Sequence, residues 1–230
     1  MYGSHRLNYR GTLLLVLAAV CAPAFSQPSQ PLVKSAASSS SSPVKEDLVD
    51  KVLGMVGPSE PTQLTQKDRF QLYLVSTVGP VPLLGEAAGA GIIHWMNRPP
   101  EWGQGWGAYG ERFGSNLAYN GIRQTISYGI SIPFHEDNRY FASGKHGVWG
   151  RTGDAVLSTF TARHPDGSQR FSVSAVTGVV GASALTSIWG PGSWKGTGNI
   201  AENAGVSFAA TAAFNVVREF LPDILHRQQH

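Results

Sequence analysis

Cysteine is almost absent from this chain. Its 230 residues include one, Cys21, and that one lies in a leader expected to be removed. The mature protein therefore has no disulfide, thiol nucleophile or cysteine-ligated metal to draw on, and its stability must come from packing. Charge is scarce too, at 14% of residues. The formal net charge of +3 falls to +1 once the leader takes Arg6 and Arg10 with it. That leaves no concentrated basic face of the kind nucleic acid requires, so no nucleic-acid partner is expected. Long apolar runs are missing: no segment is a clean stretch of the roughly 18–20 apolar residues that spans a bilayer.

Catalytic motifs are missing as well. No serine sits in a Gly-x-Ser-x-Gly elbow. Gly103-Gln-Gly-Trp-Gly107 lacks the strand, lysine and acidic partner of a nucleotide fold. His135-Glu136 begins like the zinc motif HExxH, but position 139 is Arg139 and the motif fails. The spacing of His94, His135, His146 and His164 does not predict a zinc site. No metal and no cofactor is expected.

What is present begins with an export signal over residues 1–26. Arg6 and Arg10 precede the apolar run Thr12 to Val20, and Ala24-Phe25-Ser26 supplies small residues before Gln27. Val20 is a poor fit to the small residue that a lipoprotein signal wants before its cysteine. Residues 27–64 read as a disordered Ser/Pro-rich linker, with an unbroken serine run from Ser38 to Ser42. Lys45 to Val56 could add one or two helical turns.

A helical domain is expected over 65–227, long enough for one core. The fold class is all-α: a compact bundle of about five glycine- and alanine-striped helices. The first segment starts at Gln66, breaks at Gly79-Pro80-Val81-Pro82 and resumes to Trp95, as a kink or as two helices. The second spans Trp102 to Ile132, the third Val148 to Ala162, the fourth Phe171 to Trp189 and the fifth Asn199 to Leu225. Alternation over Ser127–Ile132 and Phe171–Val176 is the β-barrel signal, outweighed by the glycine stripes and the long last helix.

Gly107, Gly110, Gly114, Ala118 and Gly121 recur at helical spacing, Gly178 and Gly181 repeat the pattern, and Gly205 joins Ala201, Ala209 and Ala212. Each glycine costs a helix about 1 kcal/mol relative to alanine, so such stripes imply close helix packing. Small faces of this kind are typical of membrane bundles. The six tryptophans fall mostly near predicted helix ends, a position that suits a membrane interface. The last helix carries a polar stripe (Asn203, Ser207, Thr211, Asn215) beside an apolar one (Val206, Ala210, Ala213, Val217, Phe220, Ile224).

The dense group of reactive side chains is His135, Glu136, Asp137, Arg139 and Tyr140, placed just after an apolar helix stopped by Pro133. Two readings follow. In one, His135 or Glu136 is a base, Asp137 orients it and Arg139 holds an anionic group through its planar fork. In the other, the charges pair with one another as a structural network, because a buried charge must be paired.

Three stretches together resemble an uncharacterised family of small exported bacterial envelope proteins: Tyr109-Gly-Glu-Arg-Phe-Gly114, His135-Glu-Asp-Asn-Arg-Tyr-Phe141 and Asn215-Val-Val-Arg-Glu-Phe-Leu-Pro-Asp-Ile224. The resemblance covers about 68–224. It departs from the family's pattern at Asn138, where proline is usual, and at Leu221, where tryptophan is usual. It implies an envelope protein, in the periplasm or outer membrane, and assigns no catalytic role.

The expected function is structural or binding, with membrane lipid or an envelope protein as partner and self-association through the glycine faces. The alternative is an envelope enzyme or a protein binding a lipid or anionic ligand through His135, Glu136, Asp137 and Arg139.

Overall fold

The computed structural model describes residues 54, 56–59 and 63–227. All belong to one unit, Pro43–His230. The leader, the serine arm and most of the short Lys45–Val56 segment lie outside the described residues. The protein is mostly helical, as the small-residue stripes and the scarcity of strand patterns predict.

Thr65 starts α1 (Gln66–Val78) through a capping box with Asp68, whose carboxylate accepts from the Thr65 N–H at 3.0 Å. Gly79 ends α1 and caps α2 (Pro80–Trp95), with Pro80 in the first turn, where its missing N–H costs nothing. The anticipated break is therefore a junction between two helices, and six α-helices stand among the described residues. Asn97 in the left-handed region (φ 50°) turns the chain. Then α3 (Trp106–Phe134) runs for 29 residues, about 44 Å at 1.5 Å per residue. It is the hub: α5 packs along it most extensively, and α1 and α2 pack on it as well.

After α4 (Val148–Leu157) the chain departs from expectation. The third helix was expected to reach Ala162, but Thr161–Arg163 (β1) and Gln169–Phe171 (β2) pair antiparallel as a hairpin. Its tip is the His164-Pro-Asp-Gly turn, with Gly167 at φ 79°. Asp137 adds a bridge to Arg163 on the far side of β1. Ser172 caps α5 (Val173–Thr186) by accepting from the Ala175 N–H at 3.0 Å. Phe171–Val176, read from its alternation as a strand candidate, is split between β2 and the first turn of α5. The last helix, α6 (Thr197–Arg227), packs on α4 and α5.

The linker was expected to run to residue 64, yet two of its residues are tied to the domain. The Ser59 N–H donates to the Tyr140 carbonyl at 2.7 Å, and Arg218 Nε donates to the Val56 carbonyl at 2.8 Å.

The interior is unusual in kind. Among the described residues the buried apolar ones are six alanines with Val179, Tyr140 and Phe141, and no leucine or isoleucine is among them. The largest fully buried side chains are Arg112, Glu136, Asn120, Ser172, Ser174 and Ser183. On α6 the polar stripe turns inward: Asn215 is buried and Ser207 accepts from the Tyr119 hydroxyl at 2.6 Å, while Val206 and Ile224 are exposed.

The glycine stripes divide. Gly178 and Gly181 sit at the α3–α5 contact, where an added Cβ would lie 3.0 Å from the Arg123 carbonyl oxygen and 2.8 Å from Ile126 Cδ1. Gly121 lies against Thr77 of α1. Gly107, Gly110, Gly114 and Gly205, expected to pack a neighbouring helix, have no atom within 4 Å of a Cβ and face outward. Periodicity places residues on one face of a helix without saying which way that face looks.

Gly178→Ala is thus expected to destabilise by about 1–3 kcal/mol, the usual cost of overpacking. Gly114→Ala is expected to stabilise by about 0.5–1 kcal/mol, because it only improves helix propensity. Chemical unfolding of the two variants checks the pair, and equal effects of the same sign would contradict this packing.

Candidate functional site

The expected cluster begins where α3 stops. Pro133 lies in the last turn, and His135 closes the helix in the left-handed conformation (φ 53°) with its ring exposed. The chain then runs extended from Glu136 to Phe141, and its side chains part to opposite sides.

Glu136 turns inward and is 2% exposed. Its carboxylate accepts from the backbone N–H groups of Val173 and Ser174, each at 2.9 Å, and from the Ser172 hydroxyl at 2.9 Å and the Ser174 hydroxyl. These donors form the N-terminus of α5, where first-turn N–H groups lack helical partners and the helix dipole favours negative charge. The anion site of α5 is therefore filled by the protein's own carboxylate. Burial pushes the Glu136 carboxyl up, but these hydrogen bonds together outweigh it and hold it below the ordinary glutamate value. Asn138 bridges the same serines: its Nδ2 donates to Ser174 Oγ at 2.6 Å, and its Oδ1, 2.7 Å from Ser172 Oγ, shares that hydroxyl's single proton with Glu136.

Asp137 turns the other way. Arg139 Nε donates to both of its oxygens at 3.1 Å, and Nη2 adds a contact at 2.8 Å. Among the described residues no hydrogen bond joins His135 to Glu136 or Asp137, so the base-and-orienter arrangement is not assembled. Arg69 reaches from α1 to donate to the Glu136 carbonyl at 2.7 Å.

Tyr140 carries the strap to α6. Its hydroxyl donates to Glu219 Oε2 at 2.6 Å, and the Ser143 hydroxyl donates to Oε1 at 2.6 Å. Arg151 of α4 donates through Nε to Glu219 at 2.8 Å and also pairs with Asp223, its guanidinium lying 4.4 Å from the Phe220 ring centre. Burial pushes the Glu219 carboxyl up, and hydrogen bonds from Ser143, Tyr140 and Arg151 bring it below the usual range. Burial, then the bond to Glu219, pushes the Tyr140 phenol far up. Residues 136–143 thus lash α3 to α5 and α6.

A second polar centre lies at the α2–α3 junction. Arg112 is fully buried, and among the described residues no carboxylate pairs with it. It donates to the carbonyls of Arg98, Pro99, Gly103 and Ala108 at 2.7–3.1 Å, and to His94 Nδ1 at 3.2 Å. A guanidinium only donates, so His94 Nδ1 is the acceptor. Nearby on α2, burial raises the Glu86 carboxyl while the charge of Arg123 opposes the rise. Among the described residues no three His, Cys, Asp or Glu side chains converge as a metal site needs.

Sequence reasoning missed Arg112, Arg151, Ser172, Ser174 and Glu219. Ser172-Val-Ser174 ahead of an uncharged apolar run is a helix-cap signal that could have flagged two of them. Arg112 and Glu219 lie inside the quoted motifs, where nothing local marks them as buried. No family model, curated protein or solved structure matches the chain.

Both depressed carboxyls set a pH dependence. Glu136 and Glu219 lie below 4.5 when folded, so the stability they confer is complete above the unfolded value and is lost as pH falls through their lower folded values. The melting temperature is expected to fall below about pH 4.5, and Glu136→Gln should flatten that fall. Glu136→Ala leaves several buried donors unsatisfied at about 1–3 kcal/mol each, whereas His135→Asn, which keeps a residue tolerant of the left-handed turn, should change stability by less than about 0.5 kcal/mol. Equal losses in the two variants would contradict the strap.

Proposed function

We propose that this chain is an exported, envelope-associated helical module with a structural or binding role, working with its apolar faces against lipid. The observation that supports this reading is the inverted distribution of side chains. Polar groups fill the interior, while large apolar residues stand in the open on every helix. Trp95, Trp106 and Trp149 are 78%, 90% and 89% exposed. Exposed apolar side chains recur on all six helices, and where such side chains adjoin they mark interaction sites. Tryptophan suits the membrane interface, where ring and N–H are both accommodated.

No described helix is long and apolar enough to cross a membrane, and the proposal needs none to do so. Contact along the bundle's surface is sufficient. The export signal at residues 1–26 and the envelope-family resemblance support the location.

The enzyme reading has less support. Glu136 is committed to the α5 N-terminus, Asp137 to Arg139, and Tyr140 to Glu219. Within the cluster, Glu136 and Tyr140 are spent on holding helices together and Asp137 on its neighbour Arg139.

In an envelope preparation washed with high salt and then alkaline carbonate, the signal-cleaved protein is expected to stay in the membrane pellet until detergent is added. Recovery in the carbonate wash would contradict lipid contact through the apolar faces.

A further inference from the structure

We infer that the Arg163-bearing face of the ribbon made by residues 137–141 and the β1–β2 hairpin binds a phosphate group, with Arg163 as the principal donor. The guanidinium of Arg163 lies over the Phe141 ring, 4.4 Å from its centre. Its Nε is shut off from solvent and has no acceptor. Among the described residues it forms no ion pair. Arg112 is caged by carbonyls, Arg151 is held by Glu219 and Asp223, and Arg170 pairs with Asp166; Arg123 shares the orphaned Nε, but its Nη2 donates to Asn120 Oδ1 at 3.3 Å.

The carboxylate opposite Arg163 on the neighbouring segment, that of Asp137, is already engaged. Asp137 and Arg163 exchange backbone hydrogen bonds at 2.9 and 3.0 Å, and residues opposite each other in an antiparallel pair project to the same face. Arg139 holds the Asp137 carboxylate by several contacts, Nη2 at 2.8 Å among them. The charge left over on this face is therefore the one on Arg163.

The register supplies the surroundings. Arg163 lies opposite Gln169 and Thr161 opposite Phe171, and alternate residues of a strand share a face. Thr161, Gln169 and exposed Phe171 thus flank Arg163, adding a hydroxyl, an amide and an apolar edge. A half-buried guanidinium over an aromatic ring, whose terminal nitrogens have no acceptor among the described residues, suits a phosphate, whose oxygens accept two parallel N–H donors. The nearby α5 N-terminus cannot serve, because Glu136 fills it. The phosphate could belong to a phospholipid headgroup or to a soluble anion. This site does not depend on the membrane reading.

The test uses signal-cleaved full-length protein and two probes. Inorganic phosphate is titrated calorimetrically, and vesicles of equimolar phosphatidylglycerol and phosphatidylcholine are compared with vesicles of phosphatidylcholine alone. Binding of inorganic phosphate identifies a free-anion site. Preference for the phosphatidylglycerol vesicles without binding of inorganic phosphate identifies a headgroup site. In either case Arg163→Ala should weaken the response about tenfold or more, and Arg163→Lys should restore it only in part. Without phosphate, Arg163→Ala should melt close to the wild-type temperature, since it gives up the stacking on Phe141 but also removes an Nε that has no acceptor. The proposal is overturned if wild type shows neither response, if Arg163→Ala binds as wild type does, or if that variant melts well below wild type, as a purely structural arginine would require. Partition onto phosphatidylcholine alone scores the apolar faces and is the same for both proteins, so the two readings fail separately.

Discussion

A carboxylate taken out of water persists only where donors replace its hydration. Glu136 meets four of them at the start of α5, and much of the architecture depends on that meeting. The donors are available because α5 begins there, and α5 is seated there because it packs along α3 through the close approach of Gly178 and Gly181. The same short strap then delivers Tyr140 to Glu219 and so fixes α6, while Arg151 brings in α4. One extended segment after the central helix thus controls the placement of three others.

The interior this creates is held by directed hydrogen bonds more than by apolar burial. Such interiors specify geometry sharply, because a polar group moved from its partner loses more than a displaced methyl does. The cost appears outside: many leucines, isoleucines, phenylalanines and tryptophans stand exposed or half-buried, and of the described large apolar side chains only Val179, Tyr140 and Phe141 are buried. In water this distribution forfeits much of the hydrophobic stabilisation of about 25 cal/mol per Å² that a soluble core gains. Against an apolar medium it forfeits little. The outward glycine and alanine face of α3 and the polar inward stripe of α6 are two views of the same inversion.

The sequence made the helices legible because their punctuation is local. Gly79-Pro80 separates α1 from α2, and Asn97-Arg98-Pro99-Pro100 ends α2. The hairpin at 161–171 escaped because its strands are three residues each, too short for alternation to register, and its turn serves equally between helices. His135 to Tyr140 stood out by density, but which way each points depends on the extended backbone after the left-handed His135. Their partners are remote: Ser172 lies 36 residues from Glu136 and Glu219 lies 79 from Tyr140. The direction of the glycine stripes was equally out of reach, since it is set by the neighbouring helix and not by the stripe.

The central claim is that the apolar exterior meets acyl chains, and tryptophan fluorescence in vesicles whose lipids carry bromine along the acyl chain tests it most directly. Trp95, Trp106 and Trp149 stand most exposed, so the predicted result is strong quenching relative to unbrominated vesicles, with emission shifted to the blue of the protein in buffer. Emission unchanged by bromine, at the wavelength seen in buffer, would contradict it.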